Sequence, residues 1–229
     1  MRERIDLLDL WRGVAVAVML AFHLCWDLSL FGRFPAEALR TPFAGAVVCF
    51  GGGSFILLSG TVLRWSSAPL RRGFLLLLCA LAVTVVTALI GYPAVFGALH
   101  LIAVCMLLGG FFRARLQALP QGALAAACAV LFAVSAVVTA RVRVGFRWLY
   151  PLGLRAEGFY SADYWPLLPW GFLYLLGTPL SAWLERRRDG RLLRRKLPRA
   201  LTFPGRRSLV IYLLHQPVLY GICRLAFGR

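Results

Sequence analysis

The chain is predicted to fold as an all-α, polytopic integral membrane bundle of about seven transmembrane helices, with its N-terminus in the cytoplasm. Three observations carry this. Hydrophobic residues make up 60% of the 229 positions and mean hydropathy is +0.75, where soluble domains sit nearer half apolar. Apolar runs long enough to span, or nearly so, fall at about 7–31, 43–63, 73–92, 97–112, 119–140, 166–184 and 207–227. The basic residues lie in the short segments between those runs, and 18 of the 26 fall on one side of an alternating seven-span topology. The positive-inside rule assigns that side to the cytoplasm.

The same observations exclude several classes. No segment is long or polar enough for a detachable soluble domain, so 1–229 is expected to be a single membrane domain. The net charge of +17 would suit nucleic acid, but its place in the loops argues for membrane topology and against that partner. Ten basic residues between Arg186 and Arg207 carry most of the bias, and their expected partner is the anionic headgroups of membrane lipids. The six cysteines fall within apolar spans without metal-type spacing, so neither a disulfide framework nor a metal is expected.

The first span, Ile5 to Asp27, holds Asp6, Asp9, Arg12, His23 and Asp27 among hydrocarbon. No cleavage site follows it, and its apolar stretch is interrupted by His23 and Asp27, so it reads as a retained helix and not a signal peptide. At 100° per residue, Asp9, Arg12, His23 and Asp27 share an arc of about 60°. Charges inside a span are costly and face the bundle interior or a wet cavity, so this stripe marks a candidate site. The bland reading of Asp9, Arg12 and Asp27 is that they mark the two ends of the span; it leaves His23 unexplained.

The second span carries Gly45, Gly52 and Ser59 at spacings of seven, beside Gly53 and Gly60, a small-residue stripe that lets a neighbour approach closely in lipid. The third and fifth offer only Thr84, Thr87, Ser135 and Thr139 as hydroxyl groups and read as scaffold. His100 opens the short fourth span. The sixth opens Asp163-Tyr-Trp-Pro-Leu-Leu-Pro-Trp170, where Trp and Tyr are interfacial anchors and Asp163 is a helix cap. The last begins at Gly205, sets Ser208, Tyr212 and His215 on one face, and is expected to kink at Pro217. Counted along the spans, His23 and His100 fall in the outer half, Asp27 and Asp163 at the outer rim, and His215 near the middle. Arg12 and His23 are separated by about 16 Å of helix rise, which suits a long substrate with an anionic end at Arg12 and a reactive end at His23.

Leu8-Asp9-Leu-Trp-Arg12-Gly13-Val-Ala15 followed by His23 resembles the first helix of the transmembrane acyltransferase superfamily, whose members share an arginine and a histidine separated by ten residues. Within it, the chain is similar to bacterial proteins related to the catalytic domain of heparan-α-glucosaminide N-acetyltransferase. Ser54–Gly60, Phe96–Ile102, Asp163–Trp170 and Ser208–Pro217 fit the same subfamily, so the resemblance samples the chain from end to end. It implies an enzyme of the bacterial inner membrane that moves an acetyl group from cytoplasmic acetyl-CoA, its co-substrate, to a sugar or glycan acceptor at the outer face.

On this reading His23 is general base or transient acetyl carrier, Asp27 its orienting partner, and His100 or His215 an oxyanion stabiliser or proton relay. Arg12 meets a CoA phosphate, with Asp9, Ser208 and Tyr212 on the donor side, and Asp163 and Trp170 face the acceptor. Arg12 serves equally well as an interfacial anchor paired with Asp9. A proton-coupled transporter or flippase is the alternative, because intramembrane His and Asp suit proton coupling too; no internal repeat of the usual kind is visible. A non-catalytic membrane assembly protein, with the polar stripes as interhelical glue, comes third. A homo-oligomer is left open.

Overall fold

The computed structural model describes residues 5–187, 190, 193 and 195–228, and among them the secondary structure is helical, with a lone bridge between Arg143 and Arg155. The helices are α1 (Asp6–Leu30), α2 (Pro42–Leu63), α3 (Pro69–Leu89), α4 (Ala98–Phe111), α5 (Arg113–Ala118), α6 (Gln121–Arg141), α7 (Leu167–Arg186), α8 (Arg199–Arg206) and α9 (Ser208–Phe227). Six of them are long and apolar enough to cross a membrane; α4, at 14 residues, is shorter. The protein is thus a multi-pass membrane helix bundle. Arg2, Arg4, Arg188, Arg191, Arg194 and Arg229, which contribute to the charge asymmetry, lie outside the described residues.

Helix ends follow local chemistry. Pro42 and Pro69 open α2 and α3, where a missing N–H costs nothing. The α7 span begins in regular geometry only after Leu168, whose backbone is extended. α9 runs unbroken through Pro217, so the proline ends no helix there. Leucines and valines along α3 and α6 are widely exposed, as expected of flanks that face lipid.

The chain divides into two units, residues 1–55 with 188–229, and residues 56–187. In the second, backbones meet where glycine permits. A Cβ on Gly60 would overlap the Tyr174 carbonyl, and one on Gly177 would overlap Gly60 and Thr61. This is the close crossing that the small-residue stripe of α2 predicts, although Gly45 has nothing within 4 Å and takes no part. Arg64 pairs with Glu185 at the end of the same crossing, and Arg113 donates to the carbonyls of Arg64 and Ser66, satisfying the C-terminus of α2.

These contacts fix the helix directions within each unit. Gly60 to Tyr174 and Arg64 to Glu185 make α2 parallel to α7, and Cys105 to Gly171 and Gly109 to Tyr174 make α4 parallel to α7. Thr84 to His100 and Gly73 to Leu107 make α3 antiparallel to α4. If α4 did not cross, α2 and α7 would run in opposite directions. Residues 98–118, α4 with α5, extend about 31 Å at 1.5 Å per residue, enough for the hydrocarbon core. In the first unit α2 is antiparallel to α1, through Gly51 to Ala15 and Ser54 to Trp11. α9 is parallel to α1, through His23 to His215 and Phe31 to Tyr220. Alternating crossings satisfy these directions within each unit.

Candidate active site

The ionisable stripe of α1 is built against α8 and α9. At its start, Gly13 and Gly205 let α1 and α8 touch backbone to backbone: a Cβ on Gly205 would overlap the Asp9 carbonyl. That approach brings Arg206 onto both acids of α1, at 2.9 Å from Asp6 and 3.3 Å from Asp9. Arg12 reaches Asp9 at 3.1 Å, and the Leu197 N–H donates to Asp6 at 3.1 Å. Two carboxylates therefore face two guanidiniums. Among the described residues this is an ion-paired clamp, and it gives the Arg12-Gly13 pair a structural task whatever else Arg12 does.

Further along, α1 and α9 bring two histidines together. The rings of His23 and His215 are 4.7 Å apart between centroids and steeply inclined, at 75°. His23 Nδ1 lies 2.9 Å from the Met19 carbonyl and His215 Nδ1 lies 2.6 Å from the Tyr212 carbonyl. A carbonyl oxygen only accepts, so each Nδ1 carries a proton, and in the neutral form of either ring it is Nε2 that holds the free lone pair. The two basic atoms of this part of the chain are thereby fixed as the Nε2 pair. Asp27, fully buried, accepts from the Gln216 amide at 2.7 Å. Its second oxygen, Gln216 Oε1 and His215 Nε2 are buried without a hydrogen-bond partner among the described residues.

Two expectations need correction. Asp27 does not orient His23 by a hydrogen bond; side chains on a helix lean toward its N-terminus, so His23 bonds back to Met19 while Asp27, a turn away, accepts from Gln216. His215 does not lie near the middle with His23 further out; the two rings share a level, 4.7 Å apart. Gly205 meets Asp9 and Gly13, and ten residues on from Gly13 and Gly205 come His23 and His215. α8 is thus the first part of the last crossing, and depth counted from α9 alone is misjudged.

The other unit holds His100 in a set of its own. Thr84 donates its hydroxyl proton to the Ala94 carbonyl, so it can only accept from His100 Nε2 at 3.3 Å, which leaves Nδ1 as that ring's lone pair. Phe96 stacks on His100 at 5.9 Å and has a left-handed backbone, φ 59°, unusual for a non-glycine. The Asp163 segment braces it: Ser161 bonds Val95, Trp165 N–H donates to the Phe96 carbonyl, and Asp163 accepts from Ala98 N–H at 3.0 Å. Asp163 therefore caps α4, not the sixth crossing as its place in the chain suggests. Trp170 packs edge-on against Trp165 and Phe132. Burial pushes the Tyr164 phenol up to about 12, so it stays protonated and donates to the Tyr150 carbonyl.

A family model described as heparan-alpha-glucosaminide N-acetyltransferase, catalytic, matches residues 4–217. The chain belongs to that family. No curated protein and no solved structure matches it. The heparan-alpha-glucosaminide N-acetyltransferase match takes in every crossing but the last part of α9, and with it both histidines of the pair, Asp27 and Gln216. It makes the chain a member of a family of membrane acetyltransferases, a transferase class.

Of the donor-side candidates, Arg12 and Asp9 sit in the clamp, Ser208 opens α9 half-buried, and the Tyr212 ring lies 5.5 Å from His215. Among the described residues no three His, Cys, Asp or Glu side chains converge on a metal position. Sequence reasoning missed Gln216 and Arg206. A neutral amide in an apolar helix carries no periodic signal, and Arg206 was one of ten bases in a stretch read as lipid-facing.

Proposed function

We propose that the protein is a histidine-dependent acetyltransferase of the bacterial cytoplasmic membrane. It takes acetyl from cytoplasmic acetyl-CoA and gives it to an amino group of a sugar or glycan at the outer face. The observation that carries this is the His23–His215 pair, with both Nδ1 atoms bonded to backbone and both Nε2 atoms available. In transfer, the acceptor nitrogen bonds the thioester carbonyl carbon, the C–S bond breaks, and the proton lost by nitrogen is balanced by the one gained by the CoA thiolate. His23 Nε2 suits the base that moves this proton, or the atom that carries the acetyl in a two-step route. His215 Nε2 suits a relay, and the Asp27 carboxylate stabilises an imidazolium. Purified protein given radiolabelled acetyl-CoA and a panel of amino sugars is expected to release labelled N-acetyl product. Labelled product with no member of the panel would count against the reading.

Arg12 is proposed to lie on the path of the donor phosphates, near the cytoplasmic surface. Arg206 remains on Asp9 when Arg12 is removed, so the clamp is weakened and not abolished. Arg12→Ala is expected to raise the KM for acetyl-CoA more than it lowers kcat. Loss of folded protein, with KM unchanged in what remains, would assign Arg12 to the clamp alone.

The proposed orientation follows from seven alternating crossings and the charge asymmetry. A reporter fused after residue 229 is expected to behave as exported, and one fused before residue 1 as cytoplasmic. A cytoplasmic signal at both ends would contradict it.

A further inference from the structure

Gln216 stands where α9 crosses the most deeply buried acid of α1. On α1, His23 and Asp27 are one turn apart on a single face; on α9, His215 and Gln216 are adjacent in sequence. The two pairs interlock, ring against ring and amide against carboxylate. The Gln216 Nε2–H···Oδ1 bond, at 2.7 Å, is the one hydrogen bond Asp27 makes among the described residues, and Asp27 is fully buried.

The chemistry of the amide matters. It donates without bringing charge, so it holds the carboxylate in place and leaves its negative charge available; Arg or Lys there would cancel it. Because the amide nitrogen must face Asp27, the free atom of Gln216 is its carbonyl oxygen. That oxygen, Asp27 Oδ2 (an acceptor in the ionised acid) and His215 Nε2 are all buried, and all without a hydrogen-bond partner among the described residues. A purely structural network would close on itself, since each buried polar atom left without a partner is destabilising. This one is left open beside a pair of packed histidine rings, His215 being the sequence neighbour of Gln216 and His23 one turn from Asp27.

We propose that Gln216 is a positioning residue of the acetyl-transfer site: it fixes Asp27 through one oxygen so that the other serves the imidazolium formed on the His23–His215 pair. The inference rests on the acetyltransferase reading above.

The test is a double-mutant cycle on acetyl transfer with purified full-length protein, acetyl-CoA and whichever amino sugar the wild type acetylates best. Gln216→Leu is expected to lower kcat by about 10-fold or more, with KM for both substrates little changed, because orientation and not binding is lost. Gln216→Glu is expected to stay within about 3-fold of wild type at neutral pH, since two adjacent carboxyls share one proton and its O–H replaces the amide donor. On an Asp27→Asn background, Gln216→Leu is expected to change kcat by less than about 2-fold, as the two act as one unit. Should Gln216→Leu fail to fold, the comparison of Gln216→Glu with Asp27→Asn carries the test: the first must retain turnover that the second loses. An active wild type whose Gln216→Leu variant keeps full kcat, or loses the same factor with and without Asp27, overturns the role of Gln216 alone. A wild type that acetylates nothing overturns the acetyltransferase reading, and this role with it.

Discussion

His23→Ala is expected to lose at least about 100-fold in kcat while melting in detergent close to wild type, since positioned acid–base groups contribute roughly 10²–10⁴. The expectation about stability comes from what the side chain touches. Its hydrogen bond goes to the Met19 carbonyl, within its own helix, and the ring meets His215 edge-on. Among the described residues, removing it takes a hydrogen-bond partner from no group on another helix. A histidine kept for structure would be tied to a neighbouring helix, and its loss would cost roughly 1–3 kcal/mol through the orphaned partner while surviving molecules stayed active. Turnover and melting temperature measured on the same preparation separate these outcomes. An active but destabilised variant would remove His23 from the chemistry.

The largest effect on stability is expected at Gly60. The α2–α7 crossing brings backbone onto backbone there, and a side chain would meet the Tyr174 carbonyl, which has no rotamer to move. Overpacking by side chains typically costs 1–3 kcal/mol, and a clash with backbone exceeds the range because helices must separate. Gly60→Val is therefore expected to cost at least about 3 kcal/mol, seen as loss of the thermal transition or of purified folded protein. Gly45→Ala, on the same stripe but with open space around it, is expected to cost nothing. Equal effects of the two substitutions would contradict the crossing.

The six long apolar helices and the shorter α4 were legible because apolar length is a local property of a chain. α4 is the informative case: its 14 residues look too short to span, and only helix directions, set by contacts such as Thr84 to His100, show that it reverses the chain. α8 was illegible for the opposite reason. Arg-Ala-Leu-Thr-Phe-Pro-Gly-Arg lies in a basic stretch with a proline inside, and its role as the start of the last crossing depends on Gly205 touching Asp9. At the site, the stripe on α1 could be placed from helical periodicity alone. Which residues meet it could not, because that depends on α9 running parallel to α1 from 189 residues further along, as in the Asp27–Gln216 bond. Asp163 illustrates the same limit: it caps a helix 65 residues earlier in the chain, not the one it precedes.

The central claim is that the α1–α9 histidine pair passes an acetyl group across the membrane. Sealed proteoliposomes test it most directly, with labelled acetyl-CoA on the side of the N-terminus and a membrane-impermeant amino sugar on the other. Wild-type protein is expected to produce labelled N-acetyl sugar in the acceptor compartment with free CoA left in the donor compartment, and His23→Ala to produce neither. Labelled acetyl-CoA recovered intact on the acceptor side would identify a transporter, and equal product from His23→Ala would show that transfer does not depend on the pair; either result contradicts the account.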